Sequence, residues 1–277
     1  MTFTRNASFE TSRSNELQIE GACLCLSICE KEGVWCDIRT VHVGSPALSV
    51  RLKVAQERNQ TYRLINEEVF IVYTPKPYAA QNPRSIIEGF PFATVTTAAP
   101  GLLATATPLY FVGDPKTSSA MAGHFAAGNP QAKALVDGMD VLAIFNGPHA
   151  YISAHWYEDR PTVPTWDYVA AHVRGKIKVL PDTEAKLAVL ELVSARAEAY
   201  QGKPWTLADA PEGKVDSLID FITAFHIEIE DIVGVTKLNQ THPRPDQLRV
   251  ADQLERRNYF GDAEIARAIR NLAIDAE

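Results

Sequence analysis

Five strand-length segments follow one another between residues 92 and 180, with turn-forming residues between them. They are residues 92–97, 103–112, 141–145, 150–157 and 166–180. Strands of this length at this spacing predict an antiparallel barrel or sandwich. Pro108 removes a ladder donor, which places the second segment at an edge or a bulge.

Helical patterns surround these strands. Residues 82–89 suit a short helix, and residues 118–128 suit another that ends on Gly128. After the strands, Asp182 can cap a helix running to about Tyr200, where Gly202 and Pro204 stop it. Residues 214–222 form a shorter helix, residues 225–233 alternate as a strand does, and the pattern resumes near 236–239. Two charged amphipathic helices close the chain at 246–257 and 262–274, the second with Ile265, Ile269 and Leu272 on one face. The expected fold is mainly β with helices (α+β), with a helical C-terminal part from about residue 182.

The polar chemistry concentrates on the later strands. Along 150–157, Tyr151, Ser153, His155 and Tyr157 fall on one face and Ala150, Ile152, Ala154 and Trp156 on the other. Along 166–180, His172, Arg174, Lys176 and Lys178 share a face. A basic stripe of this kind suits a phosphate, which Arg grips with two parallel hydrogen bonds. For Lys176 and Lys178 the competing expectation is a solvated outer face. Thr165, Trp166 and Tyr168 open this strand just after Pro164, where aromatic rings can stack on a flat ligand or serve as core. His124 lies in the expected helix 118–128, and His149 precedes the 150–157 strand.

Other signatures are missing. The chain has no Gly-x-Ser-x-Gly elbow, no His-Glu-x-x-His and no phosphate-binding Gly-x-x-x-x-Gly-Lys-Ser/Thr loop. His149, His155 and His172 with Glu158, Asp159 and Asp167 show no metal-ligand spacing, so no metal is expected. Nothing resembles a secretory signal or a membrane span, and a cytoplasmic location is expected. The formal net charge of −7 argues against a dedicated nucleic-acid module, since affinity for that polyanion comes from Lys and Arg. The best local candidate for DNA contact is the region holding Arg244, Arg249, Arg256, Arg257, Arg267 and Arg270, although interspersed acids favour a solvated surface there.

The first 71 residues differ in character. They hold all four cysteines, Cys23, Cys25, Cys29 and Cys36, in a spacing that matches no usual zinc pattern, so unpaired thiols are expected. Two short strands, 23–28 and 40–43, are the only regular elements expected there.

Five short motifs then occur in a recognisable order. They are Tyr73-Thr-Pro-Lys-Pro-Tyr78, Gly123-His-Phe-Ala-Ala-Gly-Asn-Pro-Gln131, Gly147-Pro-His-Ala-Tyr-Ile-Ser-Ala-His-Trp-Tyr157, Val163-Pro-Thr-Trp-Asp-Tyr168 leading to His172-Val-Arg-Gly175, and Lys237-Leu-Asn-Gln240. Together they resemble the PaiB-type proteins, an FMN-binding split-barrel family of negative transcriptional regulators, over residues 72 to about 254. The resemblance implies a split β-barrel that forms a homodimer, with flavin at the dimer interface and its phosphate held by basic and hydroxyl side chains. Carried over position by position, the cofactor-binding candidates are His124, His149, Tyr151, Ser153, Thr165, Trp166, Tyr168, His172 and Arg174. The resemblance implies a flavoprotein regulator; the alternative is an enzyme, a flavin-dependent oxidoreductase, or a haem-handling relative of the same superfamily. In the enzyme reading His155 and Tyr151 are the proton donors.

Two departures stand out. Asp167 occupies a position where many members have Asn, which is expected to weaken an anion site by adding negative charge. The family begins at a Met-Tyr-x-Pro position, and here Val72 fills the Met slot. Valine is encoded by the alternative bacterial start codon GTG, so residues 1–71 are expected to be either upstream sequence read in frame or a poorly ordered, chain-specific extension.

Overall fold

The computed structural model describes residues 16–19, 22–31, 34–43, 73–98, 101–158 and 162–274, the first three segments as backbone only. The chain divides into two compact units, Met1–Ile71 and Val72–Glu277. In the first unit, β1 (Glu16–Ile19), β2 (Ala22–Lys31) and β3 (Val34–Val43) form an antiparallel meander in the order β1-β2-β3. The two expected strands lie inside β2 and β3, and the sequence understated both their lengths. The cysteine side chains and the remaining expectations for residues 1–71 lie outside the described residues.

The second unit opens with α1 (Pro83–Gly89), whose first turn is capped where the Asn82 side chain accepts from the Ser85 amide. Seven antiparallel strands follow: β4 (Phe92–Thr97), β5 (Leu103–Pro108), β6 (Tyr110–Phe111), β7 (Ala120–Ala126), β8 (Asp140–Ile152), β9 (Thr165–Leu180) and β10 (Ile222–Lys237). Their order in the sheet is β5-β4-β8-β9-β10-β7-β6. The sheet curls until its two sides meet without forming a ladder. Thr107 on β5 donates its hydroxyl to the carbonyl of His124 on β7 at 2.8 Å. A Cβ on Gly123 would lie 2.4 Å from a Leu109 methyl, so glycine allows that close approach. This is a split β-barrel. Val95, Leu109, Met121, Phe125, Phe145, Val173, Ile177, Phe225 and Ile227 fill its interior.

Helices complete the unit. The short α2 (Pro130–Ala134) carries Gln131, whose buried amide donates to the Val95 carbonyl at 3.0 Å and to the Thr97 hydroxyl at 3.1 Å. The long helix α3 (Thr183–Glu198) sets Val189 against Ala122 and Ala224 on the outside of the sheet. A further short helix, α4 (Lys214–Leu218), leads into β10. The last two helices, α5 (Arg244–Arg257) and α6 (Asp262–Ile274), build a second core in which Val250, Leu254, Ile265 and Ile269 pack with Ala150 and Ile152 of β8. No helix among the described residues is long and apolar enough to cross a membrane.

Three local expectations are corrected. Residues 118–128 do not form a helix: Ala120–Ala126 is strand β7, paired with β10 and β6. Its Ala-rich composition favours a helix locally, and pairing on both sides overrides that preference. The segments 141–145 and 150–157 are not two strands. They form one, β8, interrupted by a bulge between Asn146 and His149 and followed by a short turn at Ala154–Trp156. That turn removes Tyr157 from the face assigned to it. Tyr157 is buried and donates its hydroxyl to the Asn239 side chain at 2.6 Å.

Candidate functional site

The bulge in β8 decides which side chains reach the open face of the sheet. Before it, Val141, Ala143 and Phe145 point into the barrel. One extra residue changes the parity. After it, Ala150 and Ile152 are buried while His149 and Tyr151 are exposed. Gly147 permits the tight bend: a Cβ there would sit 3.0 Å from the Val169 carbonyl and 3.2 Å from the Phe90 ring.

On the neighbouring strand β9, Tyr168 stands opposite His149 and Trp166 opposite Tyr151. Cross-strand pairs of this kind bring side chains on one face into contact. The Tyr151 and Trp166 rings meet edge to face at 5.8 Å, and His149 lies 6.1 Å from Trp166. Asn146, Gly147, His149, Trp166, Tyr168 and Val169 line an open cleft of about 280 Å³. Trp166 remains 55% exposed although β9 is a central strand. A large ring left in water on the middle of a sheet is unexpected for a side chain whose role is packing.

Two further elements frame the cleft. Lys237, at the end of β10, stands opposite Tyr168 and donates its ammonium to the Thr165 hydroxyl and, at 2.9 Å, to the Trp166 carbonyl. The turn between α5 and α6 brings Phe260 to 6.3 Å from His149, ring centre to ring centre. That turn is firmly built. Asn258 and Gly261 have φ of +49° and +84°. A Cβ at Gly261 would lie 2.5 Å from the His149 carbonyl. The buried Asp262 carboxylate accepts two hydrogen bonds from Arg257, at 2.6 and 2.8 Å, and one from the Tyr259 amide at 2.8 Å. Arg257 also donates to the Tyr151 carbonyl at 3.0 Å and stacks over Trp156.

The structure therefore gathers His149, Tyr151, Thr165, Trp166 and Tyr168 at one place. His172 and Arg174 share their face of β9 but lie further along it, with Arg174 about 20 Å from Tyr168 at the usual rise per residue. Burial lowers the affinity of His172 for a proton, and its Nδ1 has no partner. No hydrogen bond or ion pair engages Arg174 among the described residues. Lys176 pairs with Asp140 at 2.7 Å and Lys178 pairs with Asp137, which makes them solvated ion pairs. His124 is not with the others. It lies on β7, opposite Ala224 of β10, and desolvation likewise lowers its pKa. Ser153 has a local task, accepting from the His155 amide at the start of the turn that ends β8. No cluster of three or more His, Cys, Asp or Glu suited to a metal occurs among the described residues.

Asp167, between Trp166 and Tyr168, is the acid the sequence singles out. It faces away from the cleft, opposite the buried Ala150, and is fully buried. Desolvation pushes its carboxyl up to about 7, while the Lys237 ammonium and the Asn239 amide pull it down without closing a hydrogen bond. A carboxyl raised this far is held as the uncharged acid below neutral pH and becomes an anion above it.

Sequence reasoning missed two framing residues. Lys237 was visible only as part of a motif, and its reach to Thr165 depends on the β9–β10 register. Phe260 lies in a turn with no strand or helix period, and nothing local ties it to His149.

The sequence matches a known family and several known proteins. Residues 72–231, more than half of the chain, match the family model described as "Putative FMN-binding domain". The Bacillus subtilis (strain 168) protease synthase and sporulation protein PAI 2 is 35% identical, with 66% of this chain and 89% of that protein covered. An uncharacterized protein of Emericella nidulans is 31% identical, covering 61% of this chain and 87% of its own. Among solved structures, a conserved hypothetical protein of Mycobacterium tuberculosis aligns with a TM-score of 0.44 at 16% identity, over 62% of this chain and 94% of its own. An FAD and heme binding protein of Mycobacterium smegmatis aligns at 0.40 and 17% identity, over 56% and 69%. By its family match and its identity to the Bacillus protein, the chain belongs to the PaiB-type family of FMN-binding-domain proteins.

Proposed function

We propose that this protein is an FMN-binding regulator of the PaiB type that holds the flavin ring in the cleft between the bulge of β8 and the start of β9. The observation that carries this reading is the exposed Trp166 ring, flanked by Tyr151, His149 and Tyr168 on two central strands. The residues present fit the group. Aromatic faces suit a planar ring system, the Asn146 and His149 side chains supply polar contacts at its edge, and Lys237 supplies a cation at the rim for an anionic tail. His172 and Arg174, which has no hydrogen bond or ion pair among the described residues, lie further along the same face and are the other phosphate candidates. Bound FMN would supply redox-active or light-absorbing chemistry; the protein supplies orientation and electrostatics.

A second copy of the chain is proposed to complete the site, since the cleft is open and Leu142, Ile144 and His172 on the adjoining face of β8 and β9 are left half-buried. A regulatory role, with repression through DNA as its form, is proposed from the resemblance to the PaiB-type proteins. The C-terminal surface offers fewer uncompensated cations than its arginine count implies. Arg249 pairs with Glu158 and Asp246, Arg257 with Asp262, and Arg270 with Asp252 and Glu255.

FMN titration of the purified protein, followed by quenching of flavin fluorescence, tests the cofactor. Saturable binding that weakens about 10- to 100-fold in Trp166→Ala, as loss of a stacking ring does, supports it. A protein that stays folded and ignores FMN contradicts it, and a haem absorption band in its place would favour the haem-handling alternative. Salt-dependent retention of specific genomic fragments tests the regulator, whereas steady NAD(P)H turnover would favour the oxidoreductase.

A further inference from the structure

Asp167 is fully buried, and neither of its carboxyl oxygens has a hydrogen-bond partner. Its neighbours in sequence, Trp166 and Tyr168, both line the cleft. The side-chain amide nitrogen of Asn239, itself buried, also lacks a partner, and Asn239 has a positive φ of 64°. A buried carboxyl with only the Asn239 backbone amide directed at it, and no hydrogen bond closed, is unfavourable as an anion and tolerable as a neutral acid. Among the described residues the cation acting on it is Lys237, whose ammonium instead donates to Thr165 and to the Trp166 carbonyl at the rim of the cleft.

We propose that Asp167 is a buried proton switch that sets the charge Lys237 presents to the cleft, and thereby its affinity for an anionic ligand. With the proton in place, Lys237 faces the rim as an uncompensated cation. When the proton leaves, a carboxylate appears behind the wall of the cleft, compensates Lys237 and draws it away from Thr165 and Trp166. The other charged or titratable groups around the switch are few. From the segment after β8, Tyr157 feels the Asp167 charge, and its hydroxyl is pushed up to about 12 mainly by burial, so it stays protonated. Asp246 of α5 acts on Tyr157, and His242, just before α5, stacks on the Tyr157 ring at 4.5 Å. Tyr78 acts on Tyr157 as well. Within this set, Asp167 is the buried carboxyl, which desolvation lifts to about 7.

The effect on a ligand rests on the FMN reading, whereas the switch itself does not, and two measurements on the full chain separate them. The first follows tryptophan fluorescence of the ligand-free protein from pH 5 to 9. The switch predicts an inflection near neutrality that shrinks in Asp167→Asn and moves upward in Lys237→Met. An inflection that survives Asp167→Asn unchanged overturns it. The second measures the FMN dissociation constant of both proteins over the same range. The ratio of wild type to Asp167→Asn cancels the titration of the FMN phosphate. It is expected to rise about tenfold from pH 5.5 to pH 8.5, a typical size for coupling between two sites. A constant ratio overturns the coupling of switch to cleft. If FMN fails to bind at any pH, the cofactor assignment falls and the fluorescence titration still decides the switch.

Discussion

Replacing Asp167 by Asn should change the pH dependence of stability in a defined way. An unfolded-state Asp titrates near 3.8, and in the fold burial raises Asp167 to about 7. A raised carboxyl means that the native state holds a proton which the unfolded state has released. The native state is therefore favoured below pH 4 and is progressively disfavoured as pH rises towards 7, beyond which the loss is complete. Three pH units at 1.36 kcal/mol each make about 4 kcal/mol, an upper figure because relaxation and water entry soften buried charges. Asn keeps the shape and cannot ionise. The difference in stability between Asp167→Asn and wild type should therefore grow by up to about 4 kcal/mol in favour of the variant between pH 4 and pH 8. Depressed carboxylates such as Asp246 and Asp262 give the opposite trend in both proteins and cancel in the difference. Urea unfolding followed by tryptophan fluorescence at several pH values measures it, since Trp156, Trp166 and Trp205 all lie in the second unit. Parallel stability curves would refute the reasoning, because they would mean that Asp167 ionises as freely in the fold as outside it.

Other expectations follow from the same geometry. Arg257→Ala leaves the buried Asp262 carboxylate without its partner and should cost about 3–5 kcal/mol of stability by chemical denaturation. It should also loosen the Phe260 turn and so weaken FMN binding in the fluorescence titration. Gly261→Ala places a Cβ against the His149 carbonyl at a positive φ and should cost about 1–3 kcal/mol, read by the same denaturation. Arg174→Ala should leave thermal stability unchanged, since the side chain makes no ion pair or hydrogen bond among the described residues. If Arg174 holds the phosphate, the variant should weaken FMN binding more than riboflavin binding.

Much of the framework was legible because it follows from alternation and turn chemistry. Phe92–Thr97 matches the expected strand to the residue, and the basic stripe His172, Arg174, Lys176 and Lys178 does share one face. Local pattern failed where tertiary contacts decide. The Ala-rich β7 carries helix-forming residues, yet its glycine and alanines are what Leu109 and α3 need in order to approach. At the cleft, His149, Tyr151, Trp166 and Tyr168 were recognisable as a ligand-type set, but their grouping comes from the β8–β9 register across a bulge. His124 was carried along with them because it belongs to a neighbouring motif, and the sheet places it elsewhere. Asp167 was identifiable as unusual from the sequence alone. Its position was visible in the sequence, while its burial depends on α5 and α6 packing over the end of β8 and β9.

The central claim is that the cleft at Trp166 holds FMN, and the most direct measurement is the absorbance spectrum of the purified protein with added FMN after removal of free ligand. The expected result is a retained flavin band in wild type that is lost in Trp166→Ala while the variant keeps the wild-type fold by circular dichroism. A folded wild-type protein that retains no flavin, or a Trp166→Ala variant that retains as much as wild type, would contradict the assignment of this cleft.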